Sequence, residues 1–295
     1  MDKERYYSHS GDSPFPGFLL AIGLSISLAI ILGKTYQILN CLITEMYFQI
    51  FITLGFGLLI GFGSVFFSKI GYVRNNSQKI LIAAIASVAG WYFQWIAYIS
   101  YVYDNDLSIV TFNYPYYWFY LRHPSFILQS MLAINETGLW TFEGMPFKGI
   151  VLGIVWLLEA ALLVGTAISV TVQYPITPFS ENLKKWYRKY TLKFKFEPIH
   201  SKEEFTGELF KNPEELISQM GPGDKNEYSR ISIYYLPEEE ETHYLSVDNI
   251  TKGYSNKISI KVIHLYKIDT HTAQSLLGKF QFKTNIFNLF HKEVV

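Results

Sequence analysis

The sequence has little cysteine and no excess of charge, and each shortage excludes a class of protein. One cysteine, Cys41, occurs in 295 residues, so neither an internal disulfide framework nor a cysteine-based zinc site can form. The 25 basic and 25 acidic residues cancel. This balance gives no indication of nucleic acid or of another strongly charged partner, and we expect no nucleic-acid-binding function.

Motifs of enzymes and metal sites are also missing. The seven histidines make neither of the His-x-x-x-His and His-Glu-x-x-His spacings that hold a metal. No phosphate-binding loop, kinase signature or Gly-x-Ser-x-Gly turn occurs. Asp269 and His271 have no nucleophile beside them, and we interpret them as part of a solvated loop. We therefore predict no enzymatic activity, no cofactor and no metal.

The sequence is rich in long apolar runs. Hydrophobic residues make up 49% of the chain and charged residues only 17%. Four runs, at 17–39, 46–67, 80–103 and 149–172, are long enough to cross a bilayer as helices, which takes roughly 20 residues. We predict a membrane all-α region of four transmembrane helices, followed by a soluble C-terminal α+β domain with a small antiparallel sheet.

The basic residues near these runs predict the orientation of the chain. The link at 68–79 carries Lys69, Arg74 and Lys79 and no acid, whereas the link at 104–147 is rich in acids. Because basic loops stay in the cytoplasm, we expect both termini inside and residues 104–147 outside. The expected location is the bacterial cytoplasmic (inner) membrane.

These patterns divide the chain into three parts. A four-helix transmembrane domain covers 1–178 and includes the external aromatic loop at 104–147, whose residues form either a cap packed over the helices or a re-entrant element. A juxtamembrane basic helix covers 179–190, and a cytoplasmic α+β domain covers 191–295. We expect the juxtamembrane helix to contact anionic lipid headgroups through Lys184, Lys185, Arg188 and Lys189. Each cation near the membrane surface contributes about 1 kcal/mol of attraction to these headgroups.

Alternating apolar residues predict the strands of the α+β domain. One helix is predicted between Asn212, at its N-cap, and Gly221, at its end, and a last helix covers 270–282. The predicted strands lie at 191–199, 228–236, 242–250 and 257–268.

Glu159 is an acid within the apolar stretch "GIVLGIVWLLEAALLVG" at 149–165. An acid at membrane depth costs at least ~2.5 kcal/mol and normally faces protein, so we predict a polar site formed with Gln94, Ser87 or Thr53. This site either handles a proton, cation or substrate, or it fixes helix packing within the chain or in a homo-oligomer. We favour packing, because we expect no second charge at this depth.

Two glycine pairs have the spacing of close helix contacts. Gly57 with Gly61, and Gly149 with Gly153, lie four residues apart in the apolar runs. Small residues at this spacing allow two helix backbones to approach each other. We predict helix packing at all four positions.

Five phrases together are similar to a known group of proteins: "YYSHSGDSPFPG", "ITLGFGLLIGFG", "SKIGYVRN", "HPSFILQSMLAINETGLW" and "GIVLGIVWLLEA". Over residues 6–170 the chain resembles an uncharacterised group of bacterial inner-membrane proteins with four predicted helices. The resemblance implies a bacterial cytoplasmic membrane protein and carries no activity. It also implies that Gly138, Trp140 and Glu159 belong to one shared element.

Three functions are compatible with these features. The first is a scaffold or sensor that is anchored in the lipid bilayer, alone or as a homo-oligomer, and whose cytoplasmic domain binds a protein partner or a small ligand. The second is a small transporter or channel that uses Glu159. The third is a membrane-embedded enzyme acting on lipid, for which the sequence offers no catalytic motif.

Overall fold

The computed structural model of the protein describes residues 5–43, 46–104, 114–139, 141–142, 145–253 and 256–284. The chain forms two compact units. The helical unit comprises residues 10–175, and the α+β unit comprises residues 1–9 together with 176–295. The described residues 5–9 therefore group with the α+β unit.

The predicted long apolar helices are confirmed. They are α1 (Phe15–Leu42), α2 (Met46–Ile70), α3 (Asn76–Asp104) and α6 (Ile150–Gln173). Among the described residues, these four helices are long and apolar enough to cross a membrane. Their outer surfaces expose large apolar side chains, such as Phe51 (69%) and Leu157 (71%), as expected of helices that face hydrocarbon.

Each helix of the four packs against more than one of the others. Both α1 and α6 pack against α2 and α3, and α2 also contacts α3. Along the chain, the segment that connects α3 to α6 contains α4 (Tyr114–Arg122), α5 (Pro124–Thr137), β1 (Thr141–Phe142) and β2 (Met145–Pro146). Tyr117 and Ile127 from this segment are buried in one cluster with Trp95 of α3 and Trp156 of α6. This packing corresponds to the cap alternative. Trp140 lies outside the described residues.

The elements of the α+β unit are β3 (Phe179–Ser180), β4 (Lys185–Trp186), β5 (Arg188–Leu192), α7 (Lys202–Leu209), α8 (Pro213–Gln219), β6 (Glu227–Tyr235), β7 (His243–Lys252), β8 (Lys257–Ile268), α9 (Thr270–Lys279) and β9 (Phe282–Thr284). Five of the strands form an antiparallel sheet with the order β8-β7-β6-β5-β9. The predicted strands at 228–236, 242–250 and 257–268 correspond to β6, β7 and β8, and Asn212 caps α8 by accepting a hydrogen bond from the backbone N–H of Glu215. The helix α7, capped by Ser201, and the edge strand β9 are additional elements.

The prediction of a juxtamembrane helix at 179–190 is wrong. Ser180 does accept a hydrogen bond from the Leu183 N–H, at 3.2 Å, but it stabilises a turn. The chain reverses at Lys184, which has φ of 53°, and β5 then pairs with β6 and β9. Partners that are distant in sequence therefore override a local pattern that is compatible with a helix.

The first described residues are part of the α+β core. Tyr6 pairs with Tyr266 of β8, and the Tyr7 N–H donates to the Leu265 carbonyl at 2.9 Å. The Tyr7 hydroxyl accepts a hydrogen bond from the Phe179 N–H at 3.2 Å. These contacts attach Tyr6 and Tyr7 to the α+β unit.

Candidate functional site

Glu159 is joined to side chains of two other helices. The Tyr36 hydroxyl of α1 donates a hydrogen bond to Glu159 Oε1 on α6. The same hydroxyl lies 2.9 Å from Thr53 Oγ1 of α2. The polar network of Tyr36, Thr53 and Glu159 thus links three helices through side chains. Thr53, one of the partners predicted for Glu159, is linked to it through Tyr36.

The other two predicted partners do not join this network. Ser87 Oγ donates to the Ala83 carbonyl of its own helix at 2.8 Å. Gln94 is buried (4% exposed), but none of the hydrogen bonds among the described residues links it to Glu159. Of the three predicted partners, Thr53 joins the network of Glu159, and Tyr36 is a further member of it.

Tyr36 was not predicted as a partner of Glu159, because an aromatic residue close to Lys34 suggests the headgroup layer. In the structure α1 continues to Leu42, and both Tyr36 and Lys34 are 3% exposed. Lys34 is therefore a buried basic residue two positions before Tyr36 in the same helix.

The geometry of the network favours a packing role for Glu159. The Tyr36 ring stacks on Phe56 of α2, with ring centroids 4.9 Å apart. The single proton of the Thr53 hydroxyl goes either to the Tyr36 oxygen or to the Gln49 carbonyl, 2.8 Å away. Tyr36 needs only an acceptor oxygen, which a carboxylate and a neutral acid both provide. The contact therefore holds α1 and α6 together in either protonation state.

A groove of about 420 Å³ lies between α2 and α6, and the polar network is not part of it. The α6 side contributes Ala161, Gly165 and Ser169 at four-residue spacing. The full lining is Leu58, Ala161, Leu162, Gly165, Thr166, Ser169, Val170 and Gln173. Since Glu159 is absent from this lining, the groove does not make Glu159 a substrate site.

The two predicted glycine pairs behave differently. A Cβ atom on Gly57 would lie 2.8 Å from the Leu163 carbonyl oxygen, and one on Gly61 would lie 2.8 Å from Val170 Cβ. These two glycines allow α6 to approach α2 closely. A Cβ atom on Gly149 would have no neighbour within 4 Å, and one on Gly153 would have only the Asn135 side chain, at 3.9 Å. Gly149 instead has φ of 66°, a left-handed conformation that favours glycine before α6.

The predicted lipid-contacting residues lie on a hairpin and a strand. Lys184 and Lys185 form ion pairs with Glu181 at 3.6 Å and Glu238 at 2.8 Å, respectively. Arg188 and Lys189 are in β5, and Lys189 Nζ lies 5.6 Å from the ring centroid of Tyr234. The sequence predicted that these four cations lie on a helix, and in the structure they do not.

Asp269 has a structural partner. Its side chain accepts a hydrogen bond from the Thr272 N–H at 2.7 Å and caps α9, while His271 lies 3.4 Å from Glu214. Within the described ranges, no group of three or more histidine, cysteine, aspartate or glutamate residues is placed to hold a metal ion.

No protein-family model, curated protein or solved structure matches the chain.

Proposed function

We propose that the chain is an integral protein of the bacterial cytoplasmic membrane, of the scaffold or sensor type. In this proposal the helical unit anchors the α+β unit at the inner face of the membrane. The α+β unit binds a cytoplasmic protein or a small ligand. The observation that carries the proposal is that the α+β unit includes both residues 5–9 and residues 176–284, which flank the helical unit on either side.

This double attachment has a consequence for topology. The chain leaves the α+β unit before residue 10 and returns to it at residue 176. Both ends of the helical unit must then lie on the same side of a membrane, which requires an even number of crossings. The four apolar helices meet this requirement, and the basic link at 68–79 favours the cytoplasm as the shared side.

The double attachment also suits a sensor. The segments between the units are short, because α1 begins at Phe15 and α6 ends at Gln173. A change of conformation in the α+β unit would therefore act on α1 and α6 together. Such coupling requires that a ligand binds two conformations with different affinity.

Transport through Glu159 has less support. The polar network connects three helices, and the groove between α2 and α6 does not include it. We therefore assign Glu159 to helix packing. Glu159→Gln retains an acceptor for Tyr36, so we expect this variant to keep the thermal midpoint of the wild type, whereas Glu159→Leu lowers it. A pH-driven flux in proteoliposomes that Glu159→Gln abolishes would establish transport instead.

The orientation can be tested with the single cysteine. Cys41 lies near the C-terminal end of α1 and is partly buried, so we expect a membrane-impermeant maleimide to label it slowly from outside intact cells. Lys225 is exposed, so in a Cys41→Ser background the variant Lys225→Cys should react with the maleimide only after permeabilisation. The reverse labelling pattern would place the α+β unit outside the cell and refute a cytoplasmic role.

Binding by the α+β unit can be tested with the full chain in nanodiscs. Bacterial cytosol is separated into small-molecule and macromolecular fractions, and hydrogen exchange is measured with each fraction. We expect one of them to protect peptides of the α+β unit, with Glu159→Gln responding as the wild type does. Protection in neither fraction, with pH-driven flux present, would replace the scaffold or sensor proposal by transport.

A further inference from the structure

The strands of the α+β unit place a set of charged side chains on one face of the sheet. In β6, Ile231 and Ile233 point into the core that includes residues of α7, α8 and α9. Because side chains alternate along a strand, Arg230 and Ser232 point to the opposite face. The ladder places Arg230 beside Asp248 of β7, and Asp248 beside Lys261 of β8.

Two further basic groups reach this surface. Lys189 of β5 is paired with Tyr234 in the ladder and interacts electrostatically with Asp248, Arg230 and Lys261. His264 interacts with Lys261, Asp248 and Lys189. The basic sheet face is defined here as Lys189, Arg230, Ser232, Asp248, Lys261 and His264.

The basic sheet face gathers more positive than negative charge. Asp248, whose side chain is 13% exposed, accepts a hydrogen bond from Arg230 Nη2 at 3.0 Å. Asp248 is the one acid among the charges that act on Lys189 and His264. Burial lowers the pKa of Lys189, and Arg230 and Lys261 lower it further while Asp248 opposes them. The pKa of His264 is lowered by burial and then by Lys261.

One donor on this face is buried without an acceptor. Arg230 Nε has no hydrogen-bond partner among the described residues, although buried donors are normally paired. The Arg230 side chain is 40% exposed, and Lys261, on the other side of Asp248 in the ladder, is exposed as well. The Ser232 hydroxyl lies 3.2 Å from the Thr191 hydroxyl and Ser232 is only 1% exposed, so it does not contribute a free donor. A guanidinium and ammonium groups are groups that bind phosphate.

We infer that the basic sheet face binds a phosphate group, with Arg230 and Lys261 as the principal contacts and Lys189 beside them. The phosphate belongs to a soluble phosphorylated molecule or to the headgroup of an anionic lipid, which offer the same chemistry. Asp248 orients Arg230 and also repels the anion. This inference rests on the proposed function, because it names the ligand class of the α+β unit.

The test uses the full chain in nanodiscs of zwitterionic lipid, at constant ionic strength. Inorganic phosphate and pyrophosphate are titrated, with chloride as the reference, and hydrogen exchange of peptides from β5, β6 and β8 is the readout. A second arm replaces part of the lipid by phosphatidylglycerol without added phosphate. Protection in the first arm indicates a soluble ligand, and protection in the second alone indicates a lipid headgroup.

The variants separate a binding site from general charge effects. Arg230→Gln and Lys261→Gln should each lower the affinity for the anion that gives protection about tenfold, as expected for the loss of a charge-assisted hydrogen bond. Lys279→Gln removes the same charge from α9, which packs on the core face, and should have no effect. Asp248→Asn should strengthen binding, because it removes the repelling carboxylate, whereas a purely structural role for this surface predicts weaker binding.

Three results would overturn the inference. The first is the absence of protection in both arms, and the second is equal weakening by Lys279→Gln and Lys261→Gln. The third is weaker binding in Asp248→Asn when hydrogen exchange of the unliganded variant shows the wild-type fold. If a macromolecular fraction of cytosol still protects the α+β unit in any of these cases, the proposed function stands and only the phosphate site is refuted.

Discussion

The two units bury polar side chains in different ways. In the helical unit, Ser68 Oγ donates to the Ser64 carbonyl at 2.7 Å and Thr171 Oγ1 to the Ala167 carbonyl at 3.0 Å, each within its own helix. In the α+β unit, the Tyr187 hydroxyl donates to the Thr242 carbonyl at 2.8 Å, between distant parts of the chain. Hydrogen bonds that return to their own helix do not select a neighbour.

It follows that shape has to specify most contacts of the helical unit. The polar network of Tyr36, Thr53 and Glu159 is a side-chain link between its helices, but the close approach of α2 and α6 depends on Gly57 and Gly61. In the α+β unit, polar side chains select the partners of strands and loops. The units should therefore fail under different substitutions.

The largest effect is expected from extra volume between α2 and α6. A Cβ on Gly61 would lie 2.8 Å from Val170 Cβ and 2.9 Å from the Ala167 carbonyl oxygen. Gly61→Leu should therefore separate the helices and lower the stability of the helical unit by up to about 3 kcal/mol. The thermal midpoint of the purified protein in detergent measures the change.

Gly55 provides the matched control in the same helix. A Cβ at this position has no neighbour within 4 Å, so Gly55→Leu should leave the midpoint near that of the wild type. Equal midpoints for the two leucine variants would show that close packing at Gly61 does not specify the contact of α2 with α6.

The next effect tests polar specification in the α+β unit. Asn249 accepts hydrogen bonds from the Ile199 N–H at 3.2 Å and the Ser229 hydroxyl at 2.7 Å, and it donates to the Ile199 carbonyl at 2.7 Å. Asn249→Ala leaves these groups unpaired, which should lower the free energy of unfolding of the α+β unit by about 2 kcal/mol. Hydrogen exchange of peptides from β6 and β7 should accelerate. Asn226→Ala, at an exposed position, should leave exchange unchanged, and equal acceleration in the two variants contradicts the prediction.

The sequence predicts elements better than contacts, and the reason is the distance between partners. Apolar runs are local, so they locate α1, α2, α3 and α6, and alternation locates β6, β7 and β8. Tyr36 and Glu159 are 123 residues apart, and nothing in the local pattern of either residue indicates the other. The segment 179–190 shows the same limit, since its basic and aromatic residues are compatible with a helix until β6 and β9 supply partners.

The third prediction uses pH to act on the α+β unit. His243 is fully buried, and burial lowers its pKa although Glu239 and Asp269 oppose the shift. Its neutral ring accepts from the Leu236 N–H at 3.5 Å and contacts Thr270 Oγ1 at 3.1 Å. Unfolding exposes a histidine with a pKa of about 6.5. Below that pH the unfolded chain binds more protons than the folded chain, so the free energy of unfolding falls as pH falls.

Hydrogen exchange of β7 peptides between pH 5 and pH 8, corrected for intrinsic exchange, measures this dependence. His243→Gln cannot take up the proton and should reduce the loss of stability at low pH. The pKa of His264 is also lowered by burial, so part of the dependence should persist in this variant. An unchanged pH dependence would show that His243 does not couple protonation to folding.

The smallest effect is expected at the surface of the α+β unit, where charge rather than buried polarity makes the contact. Lys185 pairs with Glu238 at 2.8 Å, with side chains 54% and 46% exposed. Exposed ion pairs of this kind contribute less than about 1 kcal/mol, and salt screens them. Lys185→Ala should therefore barely change hydrogen exchange of β4 and β5, and raising the salt concentration should remove any difference. A large, salt-resistant effect would mean that Lys185 contributes to packing, and that polar contacts specify the fold of this unit even at its surface.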